Sequence, residues 1–446
     1  MDASATRVEA LGSFGALMLD AGYAVTDVAQ AVRDTAATGP DRPEDVVVGV
    51  LPQAVLLDAS GEVGARLVPA TGATLTFDQV GRTGRLVADA QRGRLTWEQL
   101  AQRVAAVRAE TRLRPVWVVL LGSGFMSCGV SVVFGARWWS LCADAVLGVV
   151  VGACIVGASR RLRVAQLLPY LCAVLVTVLL LLAADLAGAG RVPLFAVCAP
   201  LVVLIPGAIV TNAVIELSAG DVVSGGGRLI SGLVVWGLLA AGIASGTALL
   251  GAQISGDAIV VGGIGGLSGI DGIAGGAGDA GGVAGIAAGA DAGWWGAPVP
   301  AALAWPATAL VAVGVGLFGS ASARLTGVIV AELLLTYAVF VGLEARLGIV
   351  AATGIAAGVV LAASRALEAV APDYPTVVVF RPAYWLLVPG SFGLVALTAV
   401  GAGDAVRATV AIVLALTVGT QVGAIVAEGS AALLRAARGS RGGGRA

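Results

Sequence analysis

Long apolar runs occupy most of the chain from Pro115 onward and constrain its fold more than any other feature. A helix needs about 20 apolar residues to cross the hydrocarbon core of a bilayer. The sequence predicts ten membrane spans, at 115–134, 141–158, 165–184, 193–214, 229–250, 299–318, 325–343, 347–364, 382–400 and 408–427. Only 12% of the residues are charged, against about 25% in soluble domains. Most of the protein is therefore predicted to lie in lipid.

Residues 1–114 differ from the rest and are predicted to form a small cytosolic α+β domain. Leu11–Thr35 carries apolar residues at helical spacing, and amphipathic helices are predicted at Thr76–Gln91 and Thr96–Thr111. Short strands are predicted at Val46–Val50, Ala54–Asp58 and Ala65–Pro69. Thr96 followed three residues later by Gln99 is typical of a helix N-terminal cap.

Arginine in the short loops predicts the orientation. With the N-terminal domain inside, fourteen arginines flank cytoplasmic span ends and four lie in outer loops. Because cytoplasmic loops are enriched in basic residues, both termini are predicted to be cytoplasmic, with 431–446 as a basic tail. The Gly/Ala-rich stretch 251–297 is then an extracytoplasmic linker. The predicted location is the inner membrane of a bacterial cell.

Three motifs recur at a nearly constant offset, which indicates an internal repeat. The pairs are Pro115 and Pro298, Phe134-Gly135 and Phe318-Gly319, and Pro206-Gly207 and Pro389-Gly390, at offsets of 183, 184 and 183 residues. Each block, 115–250 and 298–430, holds five spans, and an odd number inverts the second block. The sequence therefore predicts a membrane all-α fold of ten helices in two inverted five-helix repeats, an architecture typical of secondary transporters.

The Pro-Gly pairs predict where a substrate binds. A proline inside a helix removes a backbone donor and frees a carbonyl one turn earlier, which lipid tolerates only where that group lines a cavity or meets protein. Asn212 and Glu216 are four residues apart, so one helix face after the first break presents an amide and a carboxylate together, and Thr211 adds a hydroxyl. The predicted substrate-binding residues are Pro206, Gly207, Thr211, Asn212, Pro389 and Gly390.

Four acidic residues are candidates for proton coupling, since the chain has no histidine. They are Asp144, Glu332, Glu216 and Asp221. A charge at the centre of a membrane helix costs roughly 2.5–3.5 kcal/mol, so Asp144 and Glu332 either bind protons or lie near the headgroups. Glu216 and Asp221 have a local alternative, helix-end solvation for the first and a cap before the fifth span for the second.

Several classes of site are disfavoured by the same sequence. The absence of histidine excludes histidine-based triads and histidine-ligated zinc, and the five cysteines all lie in apolar runs. The glycines at 225–227 lack the lysine of a phosphate loop, and a net charge of −1 gives no sign of nucleic-acid binding. No metal or cofactor is predicted.

Four segments resemble a known family. LMLDAGYAVTDVAQAV and RGRLTWEQLAQRV resemble the cytosolic domain of the threonine/serine exporter family (ThrE-type) with both halves fused, and IPGAIVTNAVIELSAGDVVSGGGRL and WLLVPGSFG resemble its two Pro-Gly motifs. The resemblance implies a ten-span exporter of threonine and serine, driven by the proton motive force through antiport. The residues that match are Pro206, Gly207, Thr211, Asn212, Glu216, Asp221, Gly225, Pro389 and Gly390.

Two alternatives remain open. Some relatives in this family are linked to dicarboxylate export, although a dianion needs arginine near its site and the spans carry Arg228 and Arg381 only at their edges. The N-terminal domain as a membrane-anchored hydrolase is the other, but no nucleophile and base occur at a recognisable spacing. We expect a non-enzymatic protein whose partners are a small amino acid, protons and the lipid bilayer. The oligomeric state, a homo-oligomer included, is left open.

Overall fold

The computed structural model describes residues 3–38, 46–59, 65–111, 114–158, 162–188, 192–251, 254–255, 297–387, 411–427 and 429. The described part of the chain is mostly helical, with a small sheet near its N-terminus. It has an α+β region up to residue 111 and a bundle of apolar helices after residue 114.

The N-terminal region consists of four helices and a three-stranded antiparallel sheet. Its elements are α1 (Ala3–Asp20), α2 (Val25–Thr38), β1 (Val46–Leu51), β2 (Ala54–Ala59), β3 (Arg66–Pro69), α3 (Phe77–Gln91) and α4 (Trp97–Ala109). Helices α1 and α2 pack against the sheet, and α3 and α4 pack on those two helices. The strand order is β1-β2-β3, with Gly49 opposite Leu56 and Leu56 opposite Leu67. On α1 the apolar residues Leu11, Phe14 and Leu17 recur every three residues and are fully buried.

Capping boxes begin both α3 and α4. The Gln99 amide N–H donates to the Thr96 hydroxyl at 3.3 Å, and the Gln99 side chain accepts from the Thr96 N–H at 3.1 Å. The same reciprocal pair forms between Thr76 and Gln79. Only the cap at Thr96 was predicted, although Thr76 and Gln79 have the same three-residue spacing as Thr96 and Gln99.

Apolar helices make up the rest of the described chain. They are α5 (Val116–Val133), α6 (Trp138–Ala158), α7 (Leu162–Leu186), α8 (Leu194–Leu201), α9 (Gly207–Ser218), α10 (Val222–Leu250), α11 (Ala304–Phe318), α12 (Ala323–Val370), α13 (Thr376–Leu387) and α14 (Ala411–Ala427). The two-residue strands β4 (Val192–Pro193) and β5 (Ile254–Ser255) pair in parallel. By length and composition six of the described helices could cross a membrane, or seven if one bent pair counts as a span.

The long helix α12 consists of two antiparallel segments. Gly348 inside it is not helical, with φ 76° and ψ 165°. The Ser364 hydroxyl donates to Glu332 Oε1 at 2.5 Å, yet 32 residues of continuous helix would separate them by about 48 Å. The chain must therefore reverse at Gly348. The two segments coincide with the predicted spans 325–343 and 347–364. The predicted span 382–400 falls largely outside the described residues, so the number ten stays a prediction.

Glycines bring α5 and α11 into close antiparallel contact. A Cβ atom on Gly122 would lie 2.8 Å from the Gly314 carbonyl oxygen, and one on Gly129 would lie 2.7 Å from that of Ala307. The partner number falls as the number on α5 rises, so the two helices run in opposite directions. Backbones approach this closely only where small residues form the interface.

Glycines also mediate parallel contacts between two other pairs of helices. Along α7 and α10, a Cβ on Gly242 would lie 2.5 Å from the Tyr170 carbonyl oxygen, and one on Gly246 would lie 3.2 Å from that of Val174. The second segment of α12 and α14 pack in the same way. There the Cβ positions of Gly354 and Gly358 face the carbonyl oxygens of Ala415 and Gly419 at 2.7 and 2.6 Å.

We expect Gly122→Ala to destabilise the bundle, because the added methyl group would meet the backbone of α11. Forcing one extra carbon into a packed contact costs about 1–3 kcal/mol. Thermal unfolding of the detergent-purified protein should show a lower midpoint. The matched control is Gly327→Ala on α12, whose Cβ would meet nothing within 4 Å. Equal midpoints for the two variants would contradict the close α5–α11 contact.

Candidate functional site

A sharp bend interrupts the helical pair that carries the first Pro-Gly motif. The segments Ala196–Leu204 and Gly207–Leu217 meet at 67°. Pro206 precedes the first residue of α9 and provides no side-chain cap. The Trp385 indole of α13 packs directly against Gly207, where any Cβ atom would collide with it. Helix α13 therefore packs directly against the bend, and only glycine at position 207 leaves room for the Trp385 ring.

A cavity of about 540 Å³ lies next to this bend, between the N-terminal region and the helical bundle. Its wall comes from the α1–α2 turn, α2, α3, α9, the second segment of α12, α13 and α14. Two predicted substrate-binding residues, Thr211 and Asn212, lie in that wall. The polar lining also includes Tyr23, Asp27, Gln30, Arg365, Glu368 and Arg381. The cavity thus combines acidic and basic side chains beside a broken apolar helix.

The charged groups of the cavity are only partly neutralised within it. Arg365 Nη2 lies 3.6 Å from Asp27 Oδ1, and Glu368 Oε2 accepts from the Thr376 hydroxyl at 2.5 Å. The buried Tyr23 hydroxyl has no hydrogen-bond partner within the described residues. Burial, and then the nearby carboxylates of Glu368 and Asp27, raise the pKa of Tyr23 well above its usual value. Tyr23 therefore remains a neutral hydrogen-bond donor at physiological pH.

The turn between α1 and α2 is bound directly by side chains of the bundle. The Gly22 carbonyl oxygen accepts from Asn212 Nδ2 and from Arg381 Nη2, both at 2.9 Å. The Val25 N–H donates to Glu216 Oε1 at 3.0 Å. The contacts join residues between 190 and 359 positions apart in sequence, so they lock the N-terminal region onto the bundle at the cavity.

The comparison with known families covers this same part of the chain. A family model described as "Putative threonine/serine exporter" (ThrE) matches residues 9–250, more than half of the 446 residues. The chain belongs to the ThrE family. The resemblance seen in the sequence is thereby confirmed, over a range that includes the N-terminal region, the first Pro-Gly motif and α10. No curated protein and no solved structure matches the chain.

Membership of a transporter family, together with the long apolar helices, makes this ThrE-family chain a multi-pass membrane protein. The matched range ends at the last residue of α10, so it includes Pro206-Gly207 and not Pro389-Gly390. Pro389 and Gly390 lie outside the described residues. A helix break and a substrate contact at Pro389-Gly390 therefore stay predictions from the repeat.

Glu216 and Asp221 have different surroundings, although both follow the helix break. Glu216 is fully buried, and its Oε2 forms an ion pair with Arg228 Nε at 3.0 Å. Asp221 caps α10, since its carboxylate accepts from the Ser224 N–H and hydroxyl, each at 3.0 Å. The capping role that the sequence left as an alternative is thus present for Asp221, whereas Glu216 joins α9, α10 and the N-terminal region.

Asp144 and Glu332 are both buried in the protein, and each accepts a hydrogen bond from a serine. Asp144 accepts from the Ser131 hydroxyl on α5, and its Oδ1 has no partner within the described residues. Glu332 is 7% exposed and accepts from Ser364. Neither lines the 540 Å³ cavity as the described residues define it. The sequence predicted these two acids, but the structure does not bring them together with Asn212.

A second, much smaller cavity of about 50 Å³ follows the first along α9 and α13. Gly207 and Trp385 line the small cavity, while Thr211 and Arg381 on the same two helices line the large one. The remaining wall is apolar and includes Met126, Val130, Cys198 and Val311. Sequence reasoning missed Trp385 and assigned Arg381 no role, because nothing local to α13 indicates that it faces α9.

We expect Gly207→Ala to lower the thermal midpoint of the purified protein by forcing Trp385 out of its position, a cost of about 1–3 kcal/mol. The same substitution should have little effect in a Trp385→Ala background, because the colliding ring is then absent. A double-mutant cycle of melting temperatures measures this coupling.

Gly226→Ala on α10 is the matched control, since nothing lies within 4 Å of its Cβ position. Additive effects of Gly207→Ala and Trp385→Ala would contradict the direct contact.

Proposed function

We propose that the protein is a secondary active exporter of small amino acids, threonine and serine in particular, across the inner membrane. Inward proton movement drives the export. The observation that carries this proposal is the 540 Å³ cavity, which combines carboxylates and guanidinium groups beside the helix break. Its volume lies within the roughly 300–1,000 Å³ of ordinary small-molecule sites.

The mixed charge of the cavity suits a zwitterion. An amino acid carries a carboxylate that arginine binds well and an ammonium that requires an acid or carbonyls. Arg365 and Arg381 supply the first kind of partner, and Asp27 and Glu368 the second. Asn212 and Thr211 are suited to recognising the substrate's hydroxyl group. Thr211 lies one turn from the break and already donates to the Gly207 carbonyl oxygen at 2.7 Å.

We propose further that the bundle is made of two inverted five-helix halves, 115–250 and 298–430, with both termini cytoplasmic. The antiparallel packing of α5 and α11 supports this. These are the first helices of the two proposed halves, and in an inverted repeat they cross the membrane in opposite directions. The parallel pairing of the third and fifth helices in each half supports the repeat independently. The Phe77 N–H donates to the Gly319 carbonyl oxygen at 2.8 Å, which supports a cytoplasmic position for the α11–α12 turn.

For proton coupling we propose Asp144, Glu332 and Glu216, with Asp221 as the weakest of the four candidates because it caps α10. In such a mechanism an acid binds a proton in one state of the transporter and substrate or a serine hydroxyl in the other. Asp144 and Glu332 fit the proton-binding role, since each is buried with a serine donor and with no arginine paired to it within the described residues.

A dicarboxylate of the succinate type is the second candidate substrate. Arg92, Arg365 and Arg381 all line the cavity. A dianion would therefore have more arginine near it than the sequence indicated, where only Arg228 and Arg381 at the edges of spans were considered. Against it, Asp27 and Glu368 share the same cavity, and a dianion would meet two like charges there. A single charge at one end of the substrate therefore separates the two candidates.

Counterflow in proteoliposomes decides between them. Vesicles preloaded with unlabelled threonine should accumulate labelled threonine and serine, and vesicles preloaded with unlabelled succinate should not accumulate labelled succinate. The reason is that the ammonium satisfies the cavity carboxylates that repel a second carboxylate. Exchange of succinate without exchange of threonine would establish the dicarboxylate instead. Vesicles without protein provide the baseline.

Proton coupling is tested by neutral replacements. In Glu332→Gln and Asp144→Asn, we expect export driven by a pH gradient to fall by at least about tenfold, which corresponds to 1.4 kcal/mol of lost coupling. Threonine counterflow, which needs no net proton movement, should persist. Glu98→Gln on the exposed surface of α4 is the control. Unchanged gradient-driven export in both variants would remove these acids from the mechanism.

A further inference from the structure

The α1–α2 turn contacts the bundle through a specific pattern of donors and acceptors. One backbone acceptor, the Gly22 carbonyl, meets two side-chain donors, Asn212 and Arg381. One backbone donor, the Val25 N–H, meets a carboxylate, Glu216. An α-amino acid offers the same two functions in stronger form, an anionic acceptor and a cationic donor. The turn thus occupies groups that would serve a zwitterionic ligand.

The hydrogen bond from Arg381 is the contact of the turn that a substrate would replace most easily. The Arg381 guanidinium has no carboxylate partner within the described residues, and its recorded hydrogen bond goes to a neutral carbonyl. The bond from Arg381 to the Gly22 carbonyl carries a charge on the donor side only. An arginine–carboxylate pair carries charge on both sides and can form two parallel hydrogen bonds. A free carboxylate that reached Arg381 would therefore replace the Gly22 carbonyl at a net gain.

The conformation of Gly22, and its lack of a side chain, allow the turn to pack against Arg381. The φ angle of Gly22 is 86°, in the left-handed region that favours glycine. A Cβ atom there would lie 2.6 Å from Arg381 Nη2. The neighbours Tyr23 and Ala24 form part of the cavity wall, so movement of the turn would open the cavity toward the side from which the N-terminal region packs.

We propose that the α1–α2 turn with the first residue of α2, residues 21–25, is a tethered competitor of the substrate and acts as the cytoplasmic gate. A free amino acid would first displace it at the cavity entrance, with its carboxylate on Arg381 and Asn212 and its ammonium on Glu216. It would then move on to the partners inside the cavity, Asp27 and Glu368 for the ammonium. This inference rests on the proposed function, because it assumes an amino-acid substrate. It goes further in assigning the N-terminal region a role in admitting that substrate.

The first test is thiol labelling of Ala24→Cys in the full-length reconstituted protein. Ala24 is 3% exposed, so a soluble maleimide should react slowly without ligand. Saturating threonine should raise the rate by at least about fivefold, the lower end of ordinary coupling between sites. Val47→Cys on the outer face of β1, where the side chain is 67% exposed, should react equally with and without threonine. The unsubstituted chain gives the background from its own cysteines.

Hydrogen–deuterium exchange on the unsubstituted protein provides a second test that needs no variant. Threonine should increase exchange in the peptide that contains Val25, because its N–H loses Glu216 as acceptor. Neither probe should respond to succinate.

The outcomes separate the gate from the transport proposal. If threonine is exchanged in counterflow but changes neither labelling nor hydrogen exchange, the gate is wrong and the transport function stands. If threonine is not exchanged and neither probe responds, the amino-acid assignment fails as well. An equal response to succinate would overturn the zwitterion match. Gly22→Ala should raise the labelling of Ala24→Cys without any ligand, and unchanged protection there would also contradict the gate.

Discussion

The packing of the N-terminal region and the helices around the cavity depends on the interactions of the Glu216 carboxylate. That carboxylate forms an ion pair with Arg228 of α10 and accepts the Val25 N–H of the N-terminal region, while it is itself fully buried on α9. Removing one partner of a buried ion pair typically costs 3–5 kcal/mol, because the other charge is left unpaired. One side chain therefore fixes the end of the broken helix, the start of the next helix and the docking of the N-terminal region at once.

Much of the bundle could be predicted because its signals are local. Runs of about 20 apolar residues identify membrane helices from composition alone, and the reversal at Gly348 falls at the second residue of the predicted span 347–364. The position of Thr211 and Asn212 in the cavity wall was also predictable. A proline break and helical spacing are enough to put small polar side chains on the face beside the break.

The partners of these residues could not be predicted, because they lie far away in the sequence. Glu216 meets Val25 across 191 positions, and Arg381 meets Gly22 across 359. Neither Gly22 nor Trp385 has a local pattern that announces such a contact. The sequence placed Arg381 only at the edge of a span, whereas its guanidinium donates to the Gly22 carbonyl oxygen in the turn that borders the cavity. Single-sequence reasoning therefore found one wall of the site and missed the N-terminal turn opposite it.

The surroundings of the two acids differ, so the two proposed halves would not contribute equally. Asp144 is bound by a serine on the helix before it, and Glu332 by a serine on the segment after it. The N-terminal turn adds a further asymmetry, since it binds α9 and α13 on one face of the bundle. An inverted pair of halves would by itself open in equivalent ways to both sides of the membrane. Asn212, Glu216 and Arg381 hold one side of the bundle. In the proposed orientation that side is cytoplasmic, so opening toward the cytoplasm would break contacts that opening outward leaves intact, and the proposed gate assigns the compensating binding energy to the substrate.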